Sequence, residues 1–270
     1  MRLQLLFTAL PLTWGRAFLI QRDMSFTHIL PEAFSGWIEK QHVKRSIRFI
    51  QQHHTYSPAY RHFTGSNHLA LQKGMQNFHK NVNGWQDIGQ HFTIFPDGTI
   101  LTGRSLDIAP ACIYGANSGA ICIENLGNFD AGEDEMADRQ RSAIITVTAA
   151  LCRRFGVPAD TEHIVYHHWF DLSTGKRTNG SGMTKTCPGT AFFGGNTVEA
   201  AQSVFLPEVQ ALLSPPVVEP VIEEAPEPEV VVAPAIEAPQ RPALPDAQES
   251  AAANNDKPPG CLFAFWPGLK

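Results

Sequence analysis

Between Ser214 and Pro259 the chain carries eleven of its twenty prolines, interleaved with Glu, Ala and Val as PPVVEPVIEEAPEPEVVVAPAIEAPQRP. Each proline fixes φ and removes a backbone donor, so this stretch builds neither a helix nor an interior strand. It is expected to be a disordered, semi-rigid acidic linker over residues 214–259. The apolar tail that follows, 260–270 with CLFAFWPGLK, is too short to fold alone and reads equally as a docking peptide or a sticky disordered end. At the other end, Leu3–Leu12 is apolar behind Arg2 and resembles a short signal segment. No A-x-A cleavage pattern follows it, and the run is too short to span a bilayer. Met24 serves equally well as a start, so residues 1–24 are an uncertain leader or a mis-called start, and no transmembrane segment is expected. Any folded domain is thereby confined to about residues 25–213.

Charge divides along the same line. From Ser214 onward there are nine acids and three bases, a net of −6, against 17 acids and 18 bases in residues 1–213. The near-neutral part has no basic stripe, so nucleic acid is not an expected partner. A hydrophobic content of 43% supplies a core for one domain, and a monomer is expected. The five cysteines (Cys112, Cys122, Cys152, Cys187 and Cys261) are odd in number and widely spaced in a chain too long to need staples. They are expected to be reduced thiols rather than a disulfide framework.

Within 25–213, SIRFIQQ (46–52), QHFTIF (90–95), AICIENLG (120–127) and HIVYHH (163–168) read as strands, and TILTGR follows a PDG turn at 96–98. Helical periodicity appears three times. Leu71, Met75 and Phe78 follow a Ser66/Asn67 cap; Ile144, Val147, Leu151 and Phe155 end at Gly156; and Val198, Ala201, Phe205, Val209 and Leu212 follow an Asn196 cap. Strands interleaved with helices predict a single α/β domain, a central mixed β-sheet flanked by helices.

Two His-His pairs fall at predicted strand ends, His53-His54 and His167-His168, where a sheet delivers side chains into a cleft. If His53, His167 and Cys187 converge, they form a two-nitrogen, one-sulfur set with room for water, as in a catalytic zinc site. The alternative is that eleven histidines pair by chance and that Cys187 is a small buried hydrophobe. Glu124 sits inside an otherwise apolar strand, where a carboxylate is costly to bury unless it has a task or a partner. It reads as a general base for metal-activated water or as a structural partner of a neighbouring group. Lys185, two residues before Cys187, reads as an oxyanion stabiliser or as a solvated loop lysine.

HHT, GWQDIGQHFTIFPDGTILTGR, ICIENLGNF, YHHW and TKTCPGT occur in this order, and the combination resembles the zinc-dependent N-acetylmuramoyl-L-alanine amidases, a family that includes phage lysozyme-type amidases and peptidoglycan recognition proteins. The resemblance runs from about Ile47 to Leu213. It implies a peptidoglycan groove, one Zn²⁺ held by His53, His167 and Cys187, and hydrolysis of the amide between the lactyl group of N-acetylmuramic acid and L-alanine. It also implies catalytic roles for Glu124 and Lys185, groove positions for Trp85, His91, Arg104 and Asn117, and action at the cell wall after secretion or release. The chain departs from the pattern in three places. Gln90 stands where many members carry a tyrosine, Cys112 replaces a groove histidine, and the insert DLSTGKRTNGSGM (171–183) lengthens the path from His167 to Cys187. The insert is expected to be a surface loop able to border the groove. Two other functions remain open: a non-catalytic peptidoglycan-recognition module, and a zinc peptidase acting on stem-peptide bonds.

Overall fold

The computed structural model describes residues 22–23 and 26–214; of the expected leader only Arg22–Asp23 falls among them, and the acidic linker beyond Ser214 and the apolar tail lie outside the described residues. Seven strands form one sheet in the order β1-β2-β5-β4-β6-β3-β7. They are β1 (Arg22–Asp23), β2 (Phe26–Ile29), β3 (Phe49–His54), β4 (Phe92–Ile94), β5 (Ile100–Thr102), β6 (Ala120–Asn125) and β7 (Ile164–Tyr166). The sheet is mixed, as predicted: β4/β6, β6/β3 and β3/β7 pair in parallel, and the β1, β2, β5, β4 side is antiparallel. β6 and β3 lie on the parallel side of the sheet, between β4 and β7, and are buried almost end to end, although β3 runs into the polar stretch Gln51–His54 and β6 ends in Glu124 and Asn125.

The two faces are used differently. On one, Ile50, Ile121, Ile123, Phe92 and Ile94 join the main core with the helices α1 (Pro31–Glu39) and α3 (Asp138–Phe155). The other is partly covered by α2 (His68–Asn81), whose Met75 packs with Phe26 and Ile88 in a smaller cluster. Alternation along a strand therefore sends Ile50 and Gln52 toward α3, where the Gln52 amide donates to Thr148 Oγ1 at 2.9 Å, and sends Gln51 and His53 to the opposite face. The described residues close with α4 (Val198–Ala200), a π turn at Ala201–Phe205 and α5 (Leu206–Leu213), which packs on α3.

Local chemistry explains most boundaries. α3 ends at Gly156 in the left-handed region (φ 66°), whose N–H returns to the Cys152 carbonyl. Gly98 (φ 86°) closes the β4–β5 hairpin by donating to Phe95 O. Two predicted caps are corrected. Asn67 occupies the cap position of α2, but its side-chain oxygen accepts from Thr64 N–H instead of the helix. Thr197, not Asn196, caps α4 by accepting from Ala200 N–H; the Asn196 side chain donates to Thr186 O and its carbonyl accepts from the Trp169 indole. β7 also ends sooner than predicted, because the backbone turns into a 3₁₀ segment at His167–Trp169. Helix α1 and strands β1 and β2 had no counterpart in the sequence reading.

Gln140 ties α3 to the strand ends. Its buried amide donates to Ile94 O and Leu126 O, and its carbonyl accepts from Tyr60 O–H. Gln140→Leu keeps the volume but strips partners from groups that stay buried, so urea unfolding is expected to show a loss on the order of 2–3 kcal/mol. A loss below about 0.5 kcal/mol, the size typical of surface changes, would mean that water replaces these bonds.

Candidate metal centre

The parallel register of β3 on β6 sets His53 beside Glu124 and Gln51 beside Cys122, and the pairing of β4 with β6 adds Thr93 beside Glu124. All of these lie on the face away from α3. β7 pairs with β3 up to Gln52↔Tyr166, so His167 leaves the sheet next to His53, with the two rings 4.9 Å apart between centroids. The segment Thr184–Gly189 closes the group from above. It is held by Thr186 Oγ1–H donating to Asp130 (2.9 Å), by Asn196 on Thr186 O (2.8 Å) and by His168 N–H on Cys187 O (2.7 Å). This places Cys187 Sγ 3.5 Å from His53 Nδ1 and 3.4 Å from the His54 backbone N–H.

The ligand atoms of His53, His167 and Cys187 all lie within 4.8 Å of one another, and the three residues are buried. His53 Nε2 has no hydrogen-bond partner although it is shut off from solvent. Two imidazoles, one thiol and an orphaned ring nitrogen fit a zinc ion with a position left for water. Burial, then the neighbouring His167, Lys185 and His54, hold His53 well below the usual imidazole range. Burial, with Lys185 and His54, brings His167 down to about 3. Both rings are therefore neutral, the form that binds metal. Burial and Glu124 push the Cys187 thiol well above its ordinary value. A divalent cation reverses that sign and favours the thiolate.

Glu124 stands at the floor of the group, with Oε1 3.9 Å from His53 Nδ1 and Oε2 buried without a partner. Burial pushes its carboxyl up to about 8, against the downward pull of Lys185. These residues form one end of a cavity of about 850 Å³. Its other end is apolar, with Leu71, Met75 and Phe78 of α2 and the indole of Trp85, which lies 4.8 Å from the His79 ring. Lys185 and Gln90 also line it.

Of the sequence-predicted residues, the structure brings His53, His167, Cys187, Glu124, Lys185 and Trp85 to this cavity. It does not bring His91, Arg104 or Asn117 there, because their polar atoms hold backbone. Buried His91 accepts from Cys122 N–H through Nδ1 and faces Ile108 O through Nε2. Arg104 donates to the carbonyls of Ile88, Ala109 and Asp87, and Asn117 Oδ1 accepts from Cys112 and Ile113 N–H. The insert 171–183 does not line the cavity either. It folds around Asp171, whose carboxylate accepts from Ser173, Thr174 and Met183 N–H.

The expectation of reduced thiols is corrected: Cys112 and Cys122 form a disulfide, while Cys152 and Cys187 are free. After β5 the chain crosses the cavity face of the sheet, and alternation along β6 aims Cys122 at the same face. Ten residues of separation thus become a Cα–Cα distance of 6.6 Å. Gln90 had been noted only as a departure, yet its buried Oε1 has no partner, while its amide donates to Thr93 Oγ1.

The sequence profile of the N-acetylmuramoyl-L-alanine amidases matches residues 43–190. The mouse protein named N-acetylmuramoyl-L-alanine amidase is 36% identical over 87 residues, 32% of this chain and 16% of its own length. An endolysin of Enterobacteria phage K11 is 34% identical over 73 residues, 26% of this chain and 48% of its own. The chain thus spans about a sixth of the mouse relative it matches. Among solved structures, wild-type Drosophila PGRP-LB aligns over 60% of this chain and 84% of its own, with 22% identity and a TM-score of 0.45.

The buried imidazoles set the acid behaviour of the metal-free protein. His54, His91 and His167 have folded values of about 4, about 3 and about 3, each depressed first by burial. The unfolded chain takes up protons near 6.5 and the folded one does not, so stability is complete above 6.5 and is lost as pH falls toward 3. Thermal unfolding of chelator-treated protein is expected to show this decline. Zinc is expected to raise the melting temperature near neutral pH, with the gain shrinking as protons compete for the ligands. A melting temperature indifferent to zinc at pH 7 would count against the metal centre.

Proposed function

We propose, because this chain belongs to the N-acetylmuramoyl-L-alanine amidase family, that it is a catalytic member hydrolysing the amide between the lactyl group of N-acetylmuramic acid and L-alanine of the stem peptide. The observation that carries the proposal is the half-buried Glu124 carboxyl, one oxygen of which is shut off from solvent without a partner, beside the His53/His167/Cys187 set. A recognition surface has no use for an acid–base group in that position.

His53, His167 and Cys187 would hold one Zn²⁺, which supplies Lewis acidity toward the scissile carbonyl and lowers the pKa of water. Every other task falls to the chain. Glu124 faces the space between the ligands and the open cavity. It takes the proton from the attacking water and returns it to the leaving alanine nitrogen. Burial raises its carboxyl to about 8 even with Lys185 opposing the rise, and a divalent cation held by the three ligands would favour the carboxylate and bring that value back toward neutrality. Lys185, at the cavity wall, faces the negative charge that develops on the carbonyl oxygen. The apolar wall of α2 and the Trp85 indole supply contact surface for the sugar and peptide. Gln90 contributes a fixed amide and no proton transfer, which leaves the acid–base role to Glu124. The enzyme acts on the cell wall once secreted or released; among the described residues no helix is long and apolar enough to cross a membrane.

A muramyl-tripeptide assay tests this directly. The native protein is expected to release a lactyl carboxylate and a free alanine amine, identified by mass spectrometry. Glu124→Gln is expected to lower turnover by roughly 10²–10⁴-fold with zinc stoichiometry unchanged. Loss of the metal in that variant would reassign Glu124 to a structural role. Binding of one zinc and of muropeptide without turnover would favour a recognition module, and cleavage further along the stem would favour a peptidase.

A further inference from the structure

The disulfide found on the cavity face lies against the metal centre itself. A ligand atom of His53 and the sulfurs of Cys112 and Cys122 lie within 4.8 Å of one another, so His53 belongs to two overlapping sets. In the oxidised protein the second set is silent, because a disulfide sulfur carries no charge and it is the thiolate that binds metal. We propose that reduction of Cys112–Cys122 unmasks a second metal set, His53/Cys112/Cys122, which competes with His53/His167/Cys187 through the shared imidazole and switches the enzyme off. The inference rests on the reading of His53, His167 and Cys187 as metal ligands.

Three observations carry it. Alternation and register place Cys122 on the same face of β6 as Glu124, opposite Gln51 and one step along from His53. His53 Nε2 is buried and unpartnered, so no protein group competes with a metal ion for it. Cys112 lines the cavity while Cys122 is fully buried, so the bond can be approached from one side only. A small dithiol reductant entering the cavity attacks Cys112 Sγ. The S–S bond breaks, the electron pair leaves on Cys122 Sγ, and a mixed disulfide forms on Cys112. The second thiol of the reductant then closes its own disulfide and releases Cys112. Two electrons have passed from the dithiol to the protein, and each thiol that binds a cation gives its proton to solvent. Two thiolates and an imidazole favour zinc strongly and resemble the thiolate-rich sets of structural sites, whereas the catalytic set has one sulfur. An ion held there removes His53 from the set that Glu124 serves.

Cobalt(II) in place of zinc reads the switch without an activity assay. The full chain is loaded in its oxidised form and again after treatment with a dithiol, with a gain of two thiols per chain counted under denaturing conditions. On reduction, the thiolate-to-cobalt charge-transfer intensity per bound ion is expected to rise about twofold or more, as one sulfur ligand gives way to two. Cys187→Ala is expected to lack the band when oxidised and to gain it when reduced, and Cys112→Ser/Cys122→Ser to show no response to the dithiol. Muropeptide hydrolysis should fall on reduction in the native protein, and in the double variant, whatever its level, should be the same with and without the dithiol. A cobalt spectrum unchanged after the two thiols have appeared overturns the proposal. Reduction that abolishes the native circular dichroism does so as well, since the disulfide would then be a staple. If the oxidised protein binds no cobalt, the metal-centre reading fails instead, and a band in reduced Cys187→Ala would still report the second set.

Discussion

The parallel register between β3 and β6 is the constraint on which the site depends. His53 and Glu124 are neighbours only because His53 pairs with Glu124 and His54 with Asn125. A slip of one residue would move His53 to the α3 face and bring His54 over the cavity. Apolar packing alone fixes the faces but not the register, since Ile121 and Ile123 present similar surfaces two residues apart. Polar groups on the core face supply the missing information. Asn125 donates to Gln52 Oε1 at 3.0 Å and to His53 O at 2.7 Å, and Gln52 in turn donates to Thr148 of α3. In a slipped pairing these amides would be buried without partners, at a cost of about 1–3 kcal/mol each. Side chains that never touch the cavity therefore set its geometry.

Burial drives the titrating groups of the cavity toward one condition. It lowers His53 and His167 and raises Glu124 and Cys187, and each shift favours the uncharged form. A site made of neutral groups is tolerable inside a protein. The same groups respond to a divalent cation in opposite senses, since the imidazoles already offer lone pairs while the thiol must lose a proton. Lys185 already pulls Glu124 and Cys187 in that direction without a metal. Its place in the segment that carries Cys187 ties electrostatics to ligand supply: whatever fixes Thr184–Gly189 fixes both. Gly189 (φ 120°) is essential to that fixing, because a Cβ there would overlap the Phe129 carbonyl.

How far the sequence disclosed this arrangement depends on range. The strand runs, the Gly156 stop of α3 and the mixed sheet were legible because period and turn chemistry are local. The His pairs and TKTCPG were legible as an ordered set. What stayed hidden is set by chain path. Cys112 and Cys122 look like unrelated thiols until the segment after β5 is seen to cross the sheet face that Cys122 also occupies. Asn196 and Thr197 are both acceptable caps by type, and tertiary contacts of Asn196 with Thr186 and Trp169 decide between them. His91, Arg104 and Asn117 carry groove-like chemistry, but the loops they brace absorb their donors and acceptors.

The insert 171–183 shows how such a feature acts at a distance. It reads from sequence as a surface loop able to border the cavity, and it packs on the segment that carries Cys112. Gly175 packs so closely on Gly115 that a Cβ at Gly175 would lie 2.7 Å from the Tyr114 carbonyl oxygen, and one at Gly115 would lie 2.6 Å from the Gly175 carbonyl oxygen. Both glycines have positive φ, so space and backbone conformation each exclude a side chain there. Asp171 organises the insert from within, and Asn117 organises the facing segment through Cys112 and Ile113. The longer connection between His167 and Cys187 thus supports the cavity wall from outside. Any effect it has on the chemistry passes through the backbone that presents Cys112 to His53.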